Sequence, residues 1–466
     1  MKKFIGLFIF LAFLGSLAWA GPWGIVVNSQ SMNINTIDLG QTPPKVYGPF
    51  LTGSLGTSGD SLLDVAITPD SNYALISNFA GQKVYRIDIS DPTNPVLAGT
   101  ITLSFYAEDI AISPNGQFAV VSDGGFSNNL AFINLSSFSN YSLYTIKSSN
   151  LYAQAVAIGN DNSTVIMPDY ANSRIIYGRV NATFSGLVSE NNLPADGNPI
   201  NISISPDGTT VLTADFWGSS VGVFQITGPG IVVPGSTPKI TGFHEYPQSI
   251  AFSPDGKKAY VVCAGSPVTF SWLQVNGPGN VTMGGERVTN LFSYSAAGYF
   301  GVDVLAVAPA GNYAIASSTA YISDPHTRAS LINLGNYQAT AIDATQDDAT
   351  GVAIFNEMVF APTNAGLERL TNNFIFYKEY INRLTWQANS KNKFPIAHYR
   401  IYRKAAGAAD STYMQAAEVA ASTLQYDDRG LKKNDSYTYK ITSLNDRGLE
   451  SAGVEVSSVI VMRRVR

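Results

Sequence analysis

Several absences bound the reading of this 466-residue chain. It has one cysteine, Cys263, so an intramolecular disulfide framework and any cysteine-rich zinc site are excluded. It has three histidines, too few for a multi-histidine metal centre. Only 14% of residues are charged and the net charge is −5, which argues against a nucleic-acid partner. After the first 20 residues no long apolar run occurs, so no transmembrane segment is expected in the mature chain. No stretch of ten or more residues shows a 3.6-residue apolar period, which leaves little room for helices. What is present is aromatic and turn-forming: 11% Phe, Trp and Tyr, with 41 Gly and 23 Pro. That composition describes a folded, strand-rich chain long enough for two or three domains.

The N-terminus reads as an address. Lys2 and Lys3 precede the apolar stretch Phe4–Leu17, and Ala18-Trp19-Ala20 forms an A-x-A cleavage signal before Gly21. Residues 1–20 are therefore expected to be a secretory signal peptide. The mature chain would be periplasmic, extracellular or on the cell surface.

A large–small–large phrase recurs along the middle of the chain: Val65-Ala66-Ile67, Ile110-Ala111-Ile112, Val156-Ala157-Ile158, Ile202-Ser203-Ile204, Ile250-Ala251-Phe252, Leu305-Ala306-Val307 and Val352-Ala353-Ile354. The intervals between openings are 45, 46, 46, 48, 55 and 47 residues, the length of one four-stranded propeller blade. On a strand the large pair lies on one face and the small residue on the other. Turns such as Ser205-Pro206-Asp207-Gly208 and Ser253-Pro254-Asp255-Gly256 follow, with Pro presetting φ and Gly accepting positive φ. Second and third strands are expected over Tyr73–Ile76 and Val84–Ile89, and at the matching places of later repeats.

These repeats resemble the YVTN family of β-propellers, relatives of WD40-type and lactonase-type propellers. The likeness covers residues 21–371 and implies a propeller of seven blades, with eight as the alternative. Ile25–Asn28 and Ile34–Asp38 look like second and third strands, and Val352–Leu370 like first to third strands, so both ends of the region are expected to complete one blade together.

After this region the pattern changes. Six or seven short strands within residues 372–466 read as a β-sandwich. Trp386 and the run Gly430–Tyr439 resemble the core tryptophan and tyrosine-corner segment of fibronectin type III domains. Charge divides the same way: residues 21–371 hold 12 basic and 25 acidic residues, whereas residues 372–466 hold 15 and 9. The bland account is solvation and attraction between modules; the sharper one is contact with an anionic envelope polymer. The overall expectation is an all-β chain: signal peptide, propeller and fibronectin-like module.

Adjacent strands are antiparallel, so the start of each first strand and the end of each second strand share one mouth of the ring. Tyr106, Glu108, Tyr152, Gln154, Tyr246 and Gln248 fall at first-strand starts. Asp123, Asp169 and Asp215 end second strands, and Trp217 follows closely. Rings supply area and polar atoms direction, which suits sugars or peptides. No catalytic constellation emerges. His244, His326 and His398 are scattered, and no G-x-S-x-G elbow is evident. An Asp343, Asp347 and Asp348 cluster would suit Ca²⁺, but an acidic turn is the preferred reading of it. No cofactor and no metal is expected. The function expected is an exported, non-enzymatic binding or scaffold protein whose partner is a protein or glycan of the envelope or extracellular space. A lactonase-like or other hydrolytic propeller is the first alternative, and a structural cell-surface layer protein the second.

Overall fold

The computed structural model describes residues 22–457 except 30, 42, 126, 148–150, 265–267, 289–304, 309–310, 318–328, 343–348, 356–361, 374–377, 393–394, 433–435 and 447. Residues 1–20, His326, the Asp343–Asp348 cluster and the C-terminal arginines lie outside that set. The chain divides into two compact units between Glu357 and Met358.

The first unit is all antiparallel β. Among the described residues it forms seven four-stranded sheets, numbered here in chain order from the one that opens with Leu62–Ile67. In sheet 1 that strand is followed by Tyr73–Asn78, Lys83–Asp88 and Val96–Thr102. Sheets 2 to 6 repeat the order with first strands Ala107–Ile112, Ala157–Ile158, Pro199–Ile204, Pro247–Phe252 and Leu305–Val307. Sheet 7 is composite: Ala349–Phe355 supplies its first strand, and Trp23–Asn28, Asn33–Asp38 and Lys45–Phe50 supply the rest. The two ends of the unit are thus hydrogen-bonded together, with Val26 opposite Val352. Every large–small–large phrase falls on a first strand, although only Ala157 and Ile158 of the third are ladder-paired.

Seven hydrophobic clusters fill the gaps between successive sheets, and six of them use the phrase in the same way. Ile110 and Ile112 of sheet 2 pack beside Ala66 of sheet 1. Val156 and Ile158 pack beside Ala111, Ile202 and Ile204 beside Ala157, and Leu305 and Val307 beside Ala251. Val352 and Ile354 meet Ala306, and Val65 and Ile67 meet Ala353, which returns from sheet 7 to sheet 1. The small residue leaves room for the large pair of the next sheet, as close packing demands. The chain of gaps is cyclic.

Closure is reinforced by polar contacts. Thr350 Oγ1 donates to the Leu62 carbonyl at 2.7 Å. A Cβ at Gly351 would stand 3.0 Å from the Leu63 carbonyl oxygen and 3.2 Å from Asp64 Cα, so glycine permits the approach of sheet 7 to sheet 1. Elsewhere a side chain of one first strand accepts from the backbone of the next: Ile110 N donates to Asp64 at 3.2 Å and Val156 N to Asp109 at 2.6 Å. Ile250 N donates to Asn201 at 3.3 Å and Leu305 N to Ser249 at 2.9 Å.

The turns behave as their composition implies and add a hydroxyl. Gly208 and Gly256 have φ of 76° and 67°. Ser253 Oγ donates to Asp255 at 2.7 Å and accepts from Lys258 N at 3.0 Å, locking the start of the second strand. The Ser253 hydroxyl also holds the Asp255 carboxyl below the usual carboxylate range.

The second unit has a three-stranded sheet of Thr363–Asn373, Lys378–Gln387 and Gln425–Leu431. Its four-stranded sheet runs Met414–Ala420, Ile396–Ala405, Tyr437–Asn445 and Val454–Ser457. Leu384, Trp386, Tyr399, Ile401, Tyr439 and Ile441 form its core. Asn382 and Asp428 satisfy the buried Tyr439 hydroxyl, at 2.8 and 2.6 Å. One sequence expectation is corrected here. The segment up to Leu370, read as closing strands of the first region, belongs to the strand Thr363–Asn373, which pairs with Lys378–Gln387. Sheet 7 already draws its second to fourth strands from the N-terminal segment, so no place remains for it there.

Candidate functional site

The strand order sets which residues meet. First strands begin, and second strands end, at one end of each sheet; Ala107 opposite Asp123 is one such pair. The residues expected at a mouth do gather at this end, but with different duties.

The acidic strand ends face inward. Asp123 is 1% exposed and accepts from Gly125 N at 2.7 Å and Asn129 N at 3.4 Å. Asp169 is fully buried and binds Arg174 Nε at 2.7 Å and Asn172 Nδ2 at 2.8 Å. Asp215, also fully buried, accepts from Thr213 Oγ1 at 2.8 Å and Ser220 Oγ at 3.3 Å. Asn78 holds the equivalent turn of sheet 1 through Gly81 N at 2.8 Å. Burial pushes Asp123 upward and takes Asp215 up to about 8. The structure therefore places these three carboxylates within the sheets, as locks on their own turns.

The rings form the surface. Phe79 at the end of sheet 1 stacks on Tyr106 at the start of sheet 2, with centroids 4.9 Å apart. Phe216 of sheet 4 stacks on Tyr246 of sheet 5 at the same spacing. Tyr152 meets Tyr170 edge-on at 5.9 Å, and Tyr170 Oη accepts from Trp217 Nε1 at 2.8 Å. Trp217 in turn stands edge-on to Tyr246 at 5.4 Å. Tyr152, Tyr170, Trp217, Tyr246 and Phe216 thus make one continuous arc across sheets 3, 4 and 5. Trp217 is 50% exposed and Tyr106 42%. The Trp217 loop is fixed by backbone contact: Trp217 N donates to the Gly197 carbonyl at 2.8 Å. Gly197 has φ of 64°, and a Cβ there would lie 2.1 Å from Gly218.

Polar groups border the arc. Gln154 hydrogen-bonds Tyr152, whose phenol is raised by burial and by the nearby Glu108 charge. Glu108 reaches over Gly124, where any Cβ would collide with its carboxylate. Gln248 is half-buried on the first strand of sheet 5. His244 is exposed, and its backbone N–H donates to Glu286 at 3.0 Å. His398 lies in the second unit, 4.0 Å from Glu418. Cys263 ends a second strand, fully buried, with its thiol pushed up to about 12 by burial.

Sequence reasoning missed one pair. Asp64 and Asp109 occupy equivalent places on neighbouring first strands, and their carboxyl groups hydrogen-bond each other. Burial raises both, and the neighbouring Asp64 charge adds to the rise of Asp109, which stands well above the ordinary carboxylate range. Their matching position before the large–small–large phrase was the available signal. It also missed Gly197 and Gly218, which are conspicuous only once the loops touch.

No protein-family model and no curated protein matches the chain. Solved structures do. A functionally unknown protein from Desulfotomaculum acetoxidans superposes with a TM-score of 0.59 at 18% identity, covering 72% of this chain and 99% of that one. The Pseudomonas aeruginosa periplasmic gluconolactonase PpgL gives 0.55 at 12% identity, covering 72% and 99%. A candidate 6-phosphogluconolactonase from Bacteroides fragilis gives 0.56 at 13%, covering 72% and 98%. The fold is a β-propeller. At such identities the likeness concerns architecture alone, and the propeller's chemistry must be argued from its own residues. Among the described residues no helix is long and apolar enough to cross a membrane.

Proposed function

We propose that this chain is an exported binding protein whose propeller recognises a saccharide of the cell envelope or extracellular space. In this reading the seven sheets are seven blades of YVTN type, and the three-plus-four-stranded second unit is a fibronectin type III-like spacer or second contact. The observation that carries it is the arc Tyr152–Tyr170–Trp217–Tyr246, pre-set by ring contacts, the Tyr170–Trp217 hydrogen bond and the Gly197–Gly218 contact. Fixed rings offer pyranose faces area at little entropic cost, and Gln154, Glu108 and the tyrosine hydroxyls offer direction.

The test is a glycan array followed by titration of tryptophan fluorescence. A saccharide hit is expected to bind Trp217→Ala about tenfold more weakly while the melting temperature stays unchanged. An array without hits, or a hit indifferent to Trp217→Ala, refutes the proposal.

A second reading is a hydrolytic propeller. The observation that favours it is the Asp64–Asp109 pair, two carboxyl groups hydrogen-bonded to each other where neighbouring first strands meet, a constellation suited to proton transfer. Turnover of a sugar lactone that disappears in Asp109→Asn would support this reading over simple binding.

A further inference from the structure

A separate cleft of about 520 Å³ opens where first strands end, at the opposite end of the sheets from the aromatic arc. It lies between sheets 1 and 2, with Phe184 of sheet 3 at its border. Its size suits a small molecule. Its chemistry is unbalanced in one direction.

The acceptors are already engaged. Asp70 accepts from Thr68 Oγ1 at 2.6 Å and Asn72 Nδ2 at 2.7 Å. Asn115 Oδ1 accepts from Ser113 Oγ at 2.8 Å and Gln117 N at 3.1 Å. Asn134 Oδ1 accepts from Ser136 N at 2.9 Å and its hydroxyl at 2.7 Å. The donors are in surplus. Gln117 offers Nε2, since its Oε1 takes the Asn115 amide at 3.1 Å, and Asn134 offers Nδ2. Arg86 lines the same cleft. Its guanidinium sits 4.9 Å from the Tyr73 ring centroid and 4.6 Å from that of Phe138. Nη1 reaches only the Leu135 carbonyl, at 3.4 Å, and Nε is buried with no acceptor. A guanidinium clamped by two rings yet under-supplied with acceptors is pre-set for a planar anion.

We propose that this cleft binds a small organic monocarboxylate, with the carboxylate on Arg86 and its apolar body against Pro69, Leu135 and Phe184. One cation and a resident Asp70 charge favour a single negative charge over a phosphate dianion. The Gln117 and Asn134 amides complete the donor set. The site is independent of the saccharide reading, because it uses none of the same residues.

The experiment is calorimetric or NMR titration of the full chain with benzoate and hexanoate, against benzamide and inorganic phosphate. Benzoate or hexanoate is expected to bind, and benzamide and phosphate at least about tenfold more weakly. Arg86→Met should weaken carboxylate binding by at least about tenfold, and Arg86→Lys should restore only part of it. Because Arg86 also packs between rings, Gln117→Ala on an exposed turn and Asn134→Ala at an exposed strand end provide a second reading: each should weaken binding about two- to fivefold with an unchanged circular dichroism spectrum. No carboxylate binding, equal binding of benzamide or phosphate, or affinity unaltered by all of these variants would overturn the proposal.

Discussion

At the scale of single residues, the buried carboxylates decide how the propeller responds to pH. Asp215 is fully buried, and the desolvation of its charge takes it up to about 8, with Asp196 adding to the rise and Lys239 opposing it. Its folded value lies above that of the unfolded chain, near 3.9, so folding takes up a proton at intermediate pH. The sign follows directly. The stabilising contribution is complete below about pH 4, declines as pH rises, and is gone once pH passes the folded value. Urea denaturation should show lower stability at pH 9 than at pH 5, and Asp215→Asn should reduce that difference by an order of a few kcal/mol. Part of the slope should survive, because Asp109 is raised in the same sense. A variant with the wild-type slope would show that Asp215 is ionised in the folded chain.

Elements cohere through a rule of complementary bulk. Each first strand turns a small residue toward the next sheet's large pair, as Ala111 does toward Val156 and Ile158. Leucine at position 111 would push three extra carbons into a filled gap, at a cost of about 1–3 kcal/mol. Serine should be accepted, since Ser203 occupies the same place in sheet 4. Thermal melts of Ala111→Leu and Ala111→Ser provide the check, and equal melting temperatures would contradict the packing rule. The same logic explains why the aromatic arc is ordered. Phe79 on Tyr106 and Phe216 on Tyr246 are contacts between sheets, extending each gap's packing out to the rim. The faces turned outward, above all that of Trp217, are what the proposed saccharide would meet.

The whole ring depends on its closure. Sheet 7 joins the first and last strands of the unit, and Thr350 and Gly351 fasten it to sheet 1. Gly351→Val would drive a branched side chain against the backbone at Leu63 and Asp64, where nothing flexible can yield. A loss of about 2–3 kcal/mol is expected, with a lower melting temperature for the propeller. An unchanged melt would mean that this gap is looser than the others. Contacts between residues so far apart in sequence thus have a large consequence, because parting sheet 7 from sheet 1 would bare the apolar side chains of that gap to water.

Local pattern alone specified the repeat, the first strands, the turns and the meeting of both ends of the first unit in one sheet, because alternating bulk and Pro–Asp–Gly turns are local properties that recur. Strand-rich character and a change of pattern after the propeller were legible for the same reason. The exact border was not: Thr363–Asn373 has strand character either way, and only the pairing with Lys378–Gln387 assigns it to the second unit. The mouth was legible as a set of positions but not as a set of duties. Asp123, Asp169 and Asp215 share register with the rings, yet burial and nearby N–H and hydroxyl donors hold them inward while Trp217 stays out. The Asp64–Asp109 pair and the Arg86 cleft arise where neighbouring sheets meet, from residues about 45 positions apart. The repeat interval supplies that separation, but which side chains face each other across a gap, and how deeply they are buried, is decided only when neighbouring sheets pack.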